Sequence, residues 1–357
     1  MTIADEKTAA AKPKGGTPDT VWGAGSLSQL GETCAKAGIS RVMAVAGQSA
    51  DGVAAQLPAL LGRRYLGRWS DVPAHVPAHQ ASLAVGSAQE THADGILAIG
   101  GGSVIGLAKI VALALRLPLI AVPTTYSGAE MTSRYVVTTE RGAEIGTSPR
   151  ALATAVIYDP DLLAAMPRRV AASGVTAVAH CVEALCYPDA PDDARDWARE
   201  GLLLLWDSLV RVAAGAADLS CRQDALAGAS LAGRAYQAAG PGLLHLLCDL
   251  TAARHAVSYG ILHSLLLPKV LCAHGAQAGQ ARAAISDLRP GVPAETALEE
   301  FAAALGVTAT VDELGIRATL AALTEQVGSH PAVPPGRVRQ AAVHRLRETL
   351  TAPAPGA

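Results

Sequence analysis

Through the first 160 residues, short and almost wholly aliphatic runs alternate with longer alanine-rich stretches, and beyond Asp159-Pro160 the short runs stop. The runs at 42–46, 96–99, 119–122 and 155–158 lack apolar–polar alternation. They therefore predict strands covered on both faces, as in a parallel sheet flanked by helices. After residue 160, apolar positions recur at helical spacing and predict helices over 168–185, 192–213, 222–238, 243–255, 258–274, 294–305 and 316–325. The expected organisation is an α/β domain over 19–160 and an all-helical domain over 161–351, with a loose tail at 1–18 and a frayed end at 352–357. The charged stretch with Asp192, Asp193, Arg195, Asp196, Arg199 and Glu200 reads most simply as the solvated face of one helix.

One junction carries candidate chemistry. Asp94-Gly-Ile-Leu-Ala-Ile-Gly-Gly-Gly-Ser-Val-Ile-Gly-Leu-Ala-Lys109 reads as a buried strand that stops at Gly100, Gly101 and Gly102 and restarts as a helix at Ser103. Residues without Cβ ahead of a helix N-terminus let backbone N–H groups and the positive end of the helix dipole face a diphosphate. Gly106 allows the new helix to approach a ligand or a strand closely. The next strand, 119–122, ends in Thr124, Thr125 and Ser127 before a further helix start. Ligands collect at the carboxyl ends of strands in open parallel sheets, so the two ends converge on one crevice. Glycine-rich turns also join elements that bind nothing, and the hydroxyls equally serve turns and N-caps.

This loop is joined by Val21-Trp-Gly-Ala-Gly-Ser26, Pro123-Thr-Thr-Tyr-Ser-Gly-Ala-Glu-Met-Thr132, Val156-Ile-Tyr-Asp-Pro160, Ala172-Ser-Gly-Val-Thr-Ala-Val-Ala-His-Cys-Val-Glu-Ala-Leu185 and Leu265-Leu-Leu-Pro-Lys-Val-Leu271. In residue and order these stretches resemble the iron-containing alcohol dehydrogenases. Gly106, where most members carry aspartate, points to the maleylacetate reductase branch. The resemblance implies an α/β N-terminal Rossmann-like parallel sheet domain followed by an all-α C-terminal domain across a cleft. It also implies a homodimer, and NAD(H) or NADP(H) held by Gly100, Gly101, Gly102, Ser103, Thr124, Thr125 and Ser127.

In metal-dependent members an aspartate, a histidine one turn on and two later histidines hold a divalent ion. Those positions fall here on Thr176, His180, His245 and Tyr259. Neutral hydroxyls are poor ligands for Fe²⁺ or Zn²⁺, so no metal is expected. The residues left are expected to work by protons. Asp249, one helical turn after His245, orients its imidazole; Tyr259 donates a proton where the ion would sit; His180 shares a face with Thr176. His255, His263 and His274 either approach the cleft or pack. A lysine that this branch carries in a K-x-T-G-like turn is missing from Gly142-Ala-Glu-Ile-Gly-Thr147, which implies a lost cation.

Charge and composition narrow the rest. A formal net charge of −2 without a long basic block argues against nucleic-acid binding. No apolar stretch has the length of a membrane helix, and the charged, alanine-rich start is unlike a secretory signal. The six cysteines form no C-x-x-C pair, so reduced thiols and a cytoplasmic setting are expected. Val45-Ala-Gly-Gln-Ser49 offers neither an acid for a ribose 2′-hydroxyl nor an adjacent arginine for a 2′-phosphate, which leaves NADH and NADPH both open. Three functions fit. The first is a metal-independent NAD(P)H-dependent reductase of a small enol-acid, enone or ketone, placed in specialised metabolism by its diverged site. The second is a repurposed cyclase, isomerase or lyase using acid and base residues of the old metal cleft. The third is an inactive dimeric partner protein.

Overall fold

The computed structural model describes residues 16–164, 167–327, 330 and 340–351, so residues 1–15 of the expected tail and the expected frayed end at 352–357 lie outside the described residues. In chain order the strands are β1 (Asp19–Trp22), β2 (Val42–Val45), β3 (Tyr65–Trp69), β4 (Gly95–Gly100), β5 (Leu119–Pro123), β6 (Arg134–Thr139), β7 (Gly142–Thr147) and β8 (Ala155–Tyr158). Six of them form one parallel sheet in the order β1-β8-β5-β4-β2-β3; β6 and β7 form a separate antiparallel hairpin. Helices α1 (Leu30–Lys36), α2 (Asp51–Ala54), α3 (Leu57–Leu61), α4 (Ala78–Glu90) and α5 (Gly102–Leu115) connect and cover the sheet.

The four aliphatic runs became β2, β4, β5 and β8, and each is buried at every position. Side chains alternate between faces along β4. Leu97 and Ile99 pack with Leu30 and Leu57 in one cluster, whereas Ile96 and Ala98 join the core shared with α4, α5 and the helical half. The edge strands β1 and β3 are partly exposed and carry no such run, which is why hydropathy does not mark them. From β2 the chain moves outward to β3, and from β4 it moves the other way to β5. A crevice opens above the carboxyl ends at that reversal.

One local expectation fails. The helix start expected after Ser127 is a single 3-10 turn, Ala129–Met131, followed by the β6–β7 hairpin. Val136, Val137, Thr138 and Thr139 are β-branched and favour extended backbone. Glu140 and Arg141 form a two-residue turn, and Gly142 takes the positive φ of 116° that follows it.

The second half is helical throughout its described residues: α6 (Pro167–Cys186), α7 (Asp192–Ala213), α8 (Leu219–Ala239), α9 (Leu243–Ala252), α10 (Tyr259–His274), α11 (Gly279–Leu288), α12 (Ala294–Ala304), α13 (Arg317–Val327) and α14 (Gln340–Thr351). Helix α9 ends short of the expected residue 255, because the amides of Arg254 and His255 both turn back to Thr251 O. Helices α11 and α14 are additional to the periodicity reading. No described helix is long and apolar enough to cross a membrane.

Candidate active site

A cleft of about 1130 Å³ runs from the carboxyl ends of β2, β4 and β5 to α6, α9 and α10. Its first wall holds Gly101, Gly102, Ser103, Thr124, Thr125 and Ser127. Thr124 N–H donates to Gly100 O at 3.0 Å and ties the two strand ends together. The N–H groups of Gly102, Ser103 and Val104 precede the first intrahelical bond of α5, from Ile105 N–H to Gly101 O, so the helix presents its free donors here.

The three glycines do different things. A Cβ on Gly100 would lie 2.5 Å from Val104 Cγ2, and one on Gly101 would lie 2.7 Å from Thr125 Cγ2. Both are therefore demanded by packing inside the loop, and Gly100 does not line the cleft. Only Gly102 faces open space, with Ser127 Oγ at 3.9 Å from its virtual Cβ. Gly106 serves packing too, since its Cβ would come within 3.1 Å of Val76 Cγ2. The turn after β2 does have an arginine beside it in space. Arg68 of β3 donates to Ala46 O and Gly47 O at 2.6 and 2.9 Å and pairs with Asp51.

The opposite wall is made of side chains. Thr176, His180 and Glu183 follow one another at spacings of four and three along α6, so they share a face. His245 and Asp249 come from α9, Tyr259 and His263 from α10, and Tyr236 from α8. His180 stacks on His245 with centroids 4.6 Å apart and planes 15° apart, and His263 lies 4.6 Å from His245 on centroids. Tyr236 lies against both His180 and His245, at 4.4 and 4.5 Å.

The partner expected for His245 is wrong. His245 Nδ1 faces Glu183 Oε2 at 2.5 Å, while Glu183 Oε1 accepts from Leu244 N–H at 2.8 Å and from Tyr187 Oη at 3.2 Å. Glu183 thus caps the uncapped start of α9 and aligns an imidazole on its first turn. Asp249 points elsewhere. It is bound to Arg134 and accepts from Tyr259 Oη at 2.8 Å, so Tyr259 reaches the cleft with its proton already committed. His180 and Thr176 also do not pair; Thr176 Oγ1 meets His263 Nδ1 at 3.2 Å. His263 belongs to the cleft, whereas His255, just beyond α9, meets Thr319 and His274 packs edge-on against Tyr187.

Arg134 reverses the expectation of a lost cation. It sits at the start of β6, paired in register with Thr147 of the strand that lacks the lysine. Both halves of the molecule brace it. Lys109 Nζ donates to Ala129 O, Thr132 O, Thr132 Oγ1 and Arg134 O, and Gln237 Oε1 accepts from Ser133 N–H at 2.7 Å. Glu183, Arg134, Tyr236 and His263 are the residues that motif reading missed or ranked low. Only Glu183, in the same His-Cys-Val-Glu stretch as His180, carried a local signal.

Burial sets the protonation states. Desolvation, with the neighbouring imidazoles, holds His180 and His263 well below the ordinary imidazole value, so both are neutral at pH 7. Burial also pushes the Tyr236 and Tyr259 hydroxyls up, keeping them protonated. Burial works against ionised Glu183, but His245 and the Leu244 N–H outweigh it and leave the carboxyl below its usual range. Arg134 is likewise opposed by burial, and the Asp249 carboxylate it contacts holds its charge in place. Burial draws Lys109 down to about 7 against the pull of Glu130.

With that geometry in hand, known proteins were compared. Residues 17–160 match the family model described as iron-containing alcohol dehydrogenase, and residues 170–352 match that of the Fe-containing alcohol dehydrogenase family, C-terminal. A maleylacetate reductase of Burkholderia cepacia is 36% identical over 302 residues, covering 84% of this chain and 85% of the relative. That of Pseudomonas sp. (strain P51) is 34% identical over 303 residues, with 84% and 86% covered. The crystal structure of maleylacetate reductase from Rhizobium sp. strain MTP-10005 superposes with a TM-score of 0.79 at 31% identity, covering 93% of this chain and 95% of the other. A putative alcohol dehydrogenase from Ralstonia eutropha JMP134 superposes at 0.84 with 29% identity, 98% of each chain being covered.

Proposed function

Because the chain belongs to the iron-containing alcohol dehydrogenase family, and within it to the maleylacetate reductase branch, we propose that it is an NAD(P)H-dependent reductase of a small enol-acid, enone or ketone that works without a metal ion. One observation carries this reading. A single cavity joins the backbone cradle at 101–103 and 124–127 to the Glu183–His245 pair.

The cradle suits a dinucleotide. The free amides of α5 and the open face of Gly102 would hold the diphosphate, with Ser103, Thr124, Thr125 and Ser127 supplying hydroxyls around it. When bound, a reduced nicotinamide supplies hydride. The protein's part is the proton. Glu183 fixes the imidazole of His245 through Nδ1, which leaves Nε2, buried and without a partner among the described residues, as the atom that exchanges a proton with substrate.

The donor set does not suit a metal ion. Among the described residues no three His, Cys, Asp or Glu side chains are disposed to share one. Imidazole lone pairs lie in the ring plane, and the nearly parallel planes of His180 and His245 do not meet near either ring. Both Asp249 oxygens are engaged, one by a guanidinium whose charge opposes any cation. Taking Asp249 as a ligand would strand that buried charge, which is costly.

The test is consumption of NADH and NADPH with maleylacetate and a panel of 2-enoates and ketones. Oxidation of reduced cofactor by at least one of them is expected; none throughout the panel overturns the reading. The same reading carries a homodimer, checked by light scattering.

A further inference from the structure

The cleft gathers a fixed positive charge and several unmatched polar atoms. The Arg134 side chain is 9% exposed and lines the cavity. Asp249 holds its Nη2. Tyr236 Oη, His180 Nδ1 and His245 Nε2 are buried without hydrogen-bond partners among the described residues. Buried polar groups left this way are costly unless a ligand meets them. The centroids of the three rings lie 4.4 to 4.6 Å from one another, and Arg134 and Tyr236 both line the cavity. One chemistry answers all of them: an oxygen carrying negative charge, accepting from the guanidinium and the phenol and next to a proton on imidazole.

We propose that Arg134 is a catalytic residue that, with Tyr236 Oη, holds the oxyanion formed on the substrate, taking the place of a metal ion. This rests on the reductase reading above. For a ketone, hydride from a reduced nicotinamide bonds to the carbonyl carbon and the C=O π pair moves to oxygen. The oxyanion accepts hydrogen bonds from the guanidinium and from Tyr236, then takes the proton of His245 Nε2. Alcohol and oxidised nicotinamide result. Tyr259 is not the donor, since its hydroxyl is spent on Asp249. Asp249 instead aims the guanidinium, helped by the Lys109 and Gln237 contacts on either side of it.

The experiment compares Arg134→Gln, Tyr236→Phe and Asp249→Asn in kcat and KM, and measures oxalate, a compact planar dianion, by calorimetry. Arg134→Gln should lower kcat at least ~10²-fold, the scale of losing one oxyanion donor. KM should move much less, and the loss should stay constant across pH because guanidinium does not titrate. Asp249→Asn leaves the guanidinium charge of Arg134 in place and should lose at least about tenfold less kcat than Arg134→Gln. Equal losses in the two would make the pair structural and overturn the proposal, as would a loss confined to KM. Oxalate should bind wild type and weaken at least about tenfold in Arg134→Gln; no binding to wild type, or equal binding to both, overturns it. Should Arg134→Gln fail to fold, Tyr236→Phe carries the comparison, because it removes a hydroxyl with no partner among the described residues. A kcat loss of at least about tenfold supports the proposal and no loss overturns it. Oxalate bound through Arg134 by a protein that never consumes reduced nicotinamide removes the reductase reading and the oxyanion role with it, leaving an anion site.

Discussion

The two walls of the cleft are built from different materials. One wall is backbone and short hydroxyls drawn from two sequence windows, 101–103 and 124–127, whose strand ends are tied to each other by one amide. The opposite wall is side chains from β6, α6, α8, α9 and α10, whose decisive pairs are 62 residues apart for Glu183–His245 and 115 for Arg134–Asp249. A backbone site is specified locally and tolerates exchange of the residues around it. A side-chain site depends on which helices meet, so it can be rebuilt with new partners while its neighbour stays the same.

The sharpest way to break this contrast is at His245. Replacing it with alanine should lower turnover about 10³-fold with the nucleotide dissociation constant unchanged, because the walls act separately. Glu183→Gln, which keeps the shape but not the charge, should lose about 10- to 100-fold, as outer partners of a working imidazole do. A milder loss there than in Asp249→Asn would return the orienting role to the carboxylate one turn along α9.

Within the cradle the contrast can be sharpened further. Gly102→Val adds bulk on the open face and should weaken NADH about tenfold, read by fluorescence titration, with little change in melting temperature. Gly101→Ala drives a methyl toward Thr125 Cγ2 at 2.7 Å and should lower the melting temperature first. If both variants behaved alike, the separate duties of these glycines would be lost.

The helical wall should also leave its mark on stability against pH. His180 and His263 stay neutral when folded and become protonated near pH 6.5 when unfolded. The unfolded state then binds more protons below that value, so stability is full above about 6.5 and falls as pH drops, by about 1.4 kcal/mol per pH unit for each imidazole. Burial shifts His75 in the same direction. Denaturant titrations between pH 7 and 5 should show this slope, and His263→Asn should flatten it; an unaltered slope would mean that His263 is not held neutral.

These differences explain what could be read from the chain. The buried strands, the helices and the glycine loop are legible because each depends on a run of adjacent residues: β2, β4, β5 and β8 are apolar on both faces and need no partner to be recognised. The hairpin was not, since its β-branched run followed hydroxyls that resemble a helix cap. Arg134 was invisible for the same reason, because its value comes from Asp249 across the fold. Asp249 looked like the partner of His245 from spacing alone, yet Glu183 won. It sits on the helix that faces the start of α9, where a carboxylate also meets Leu244 N–H.

The central claim is that side chains manage charge in this cleft where relatives of the family use an ion. Elemental analysis of the purified protein, joined to turnover before and after exhaustive chelation, tests it most directly. The account predicts Fe and Zn well below one per chain and reduced-cofactor consumption that chelation leaves unchanged. A full equivalent of bound ion, whose removal abolishes turnover and whose return restores it, would contradict the account.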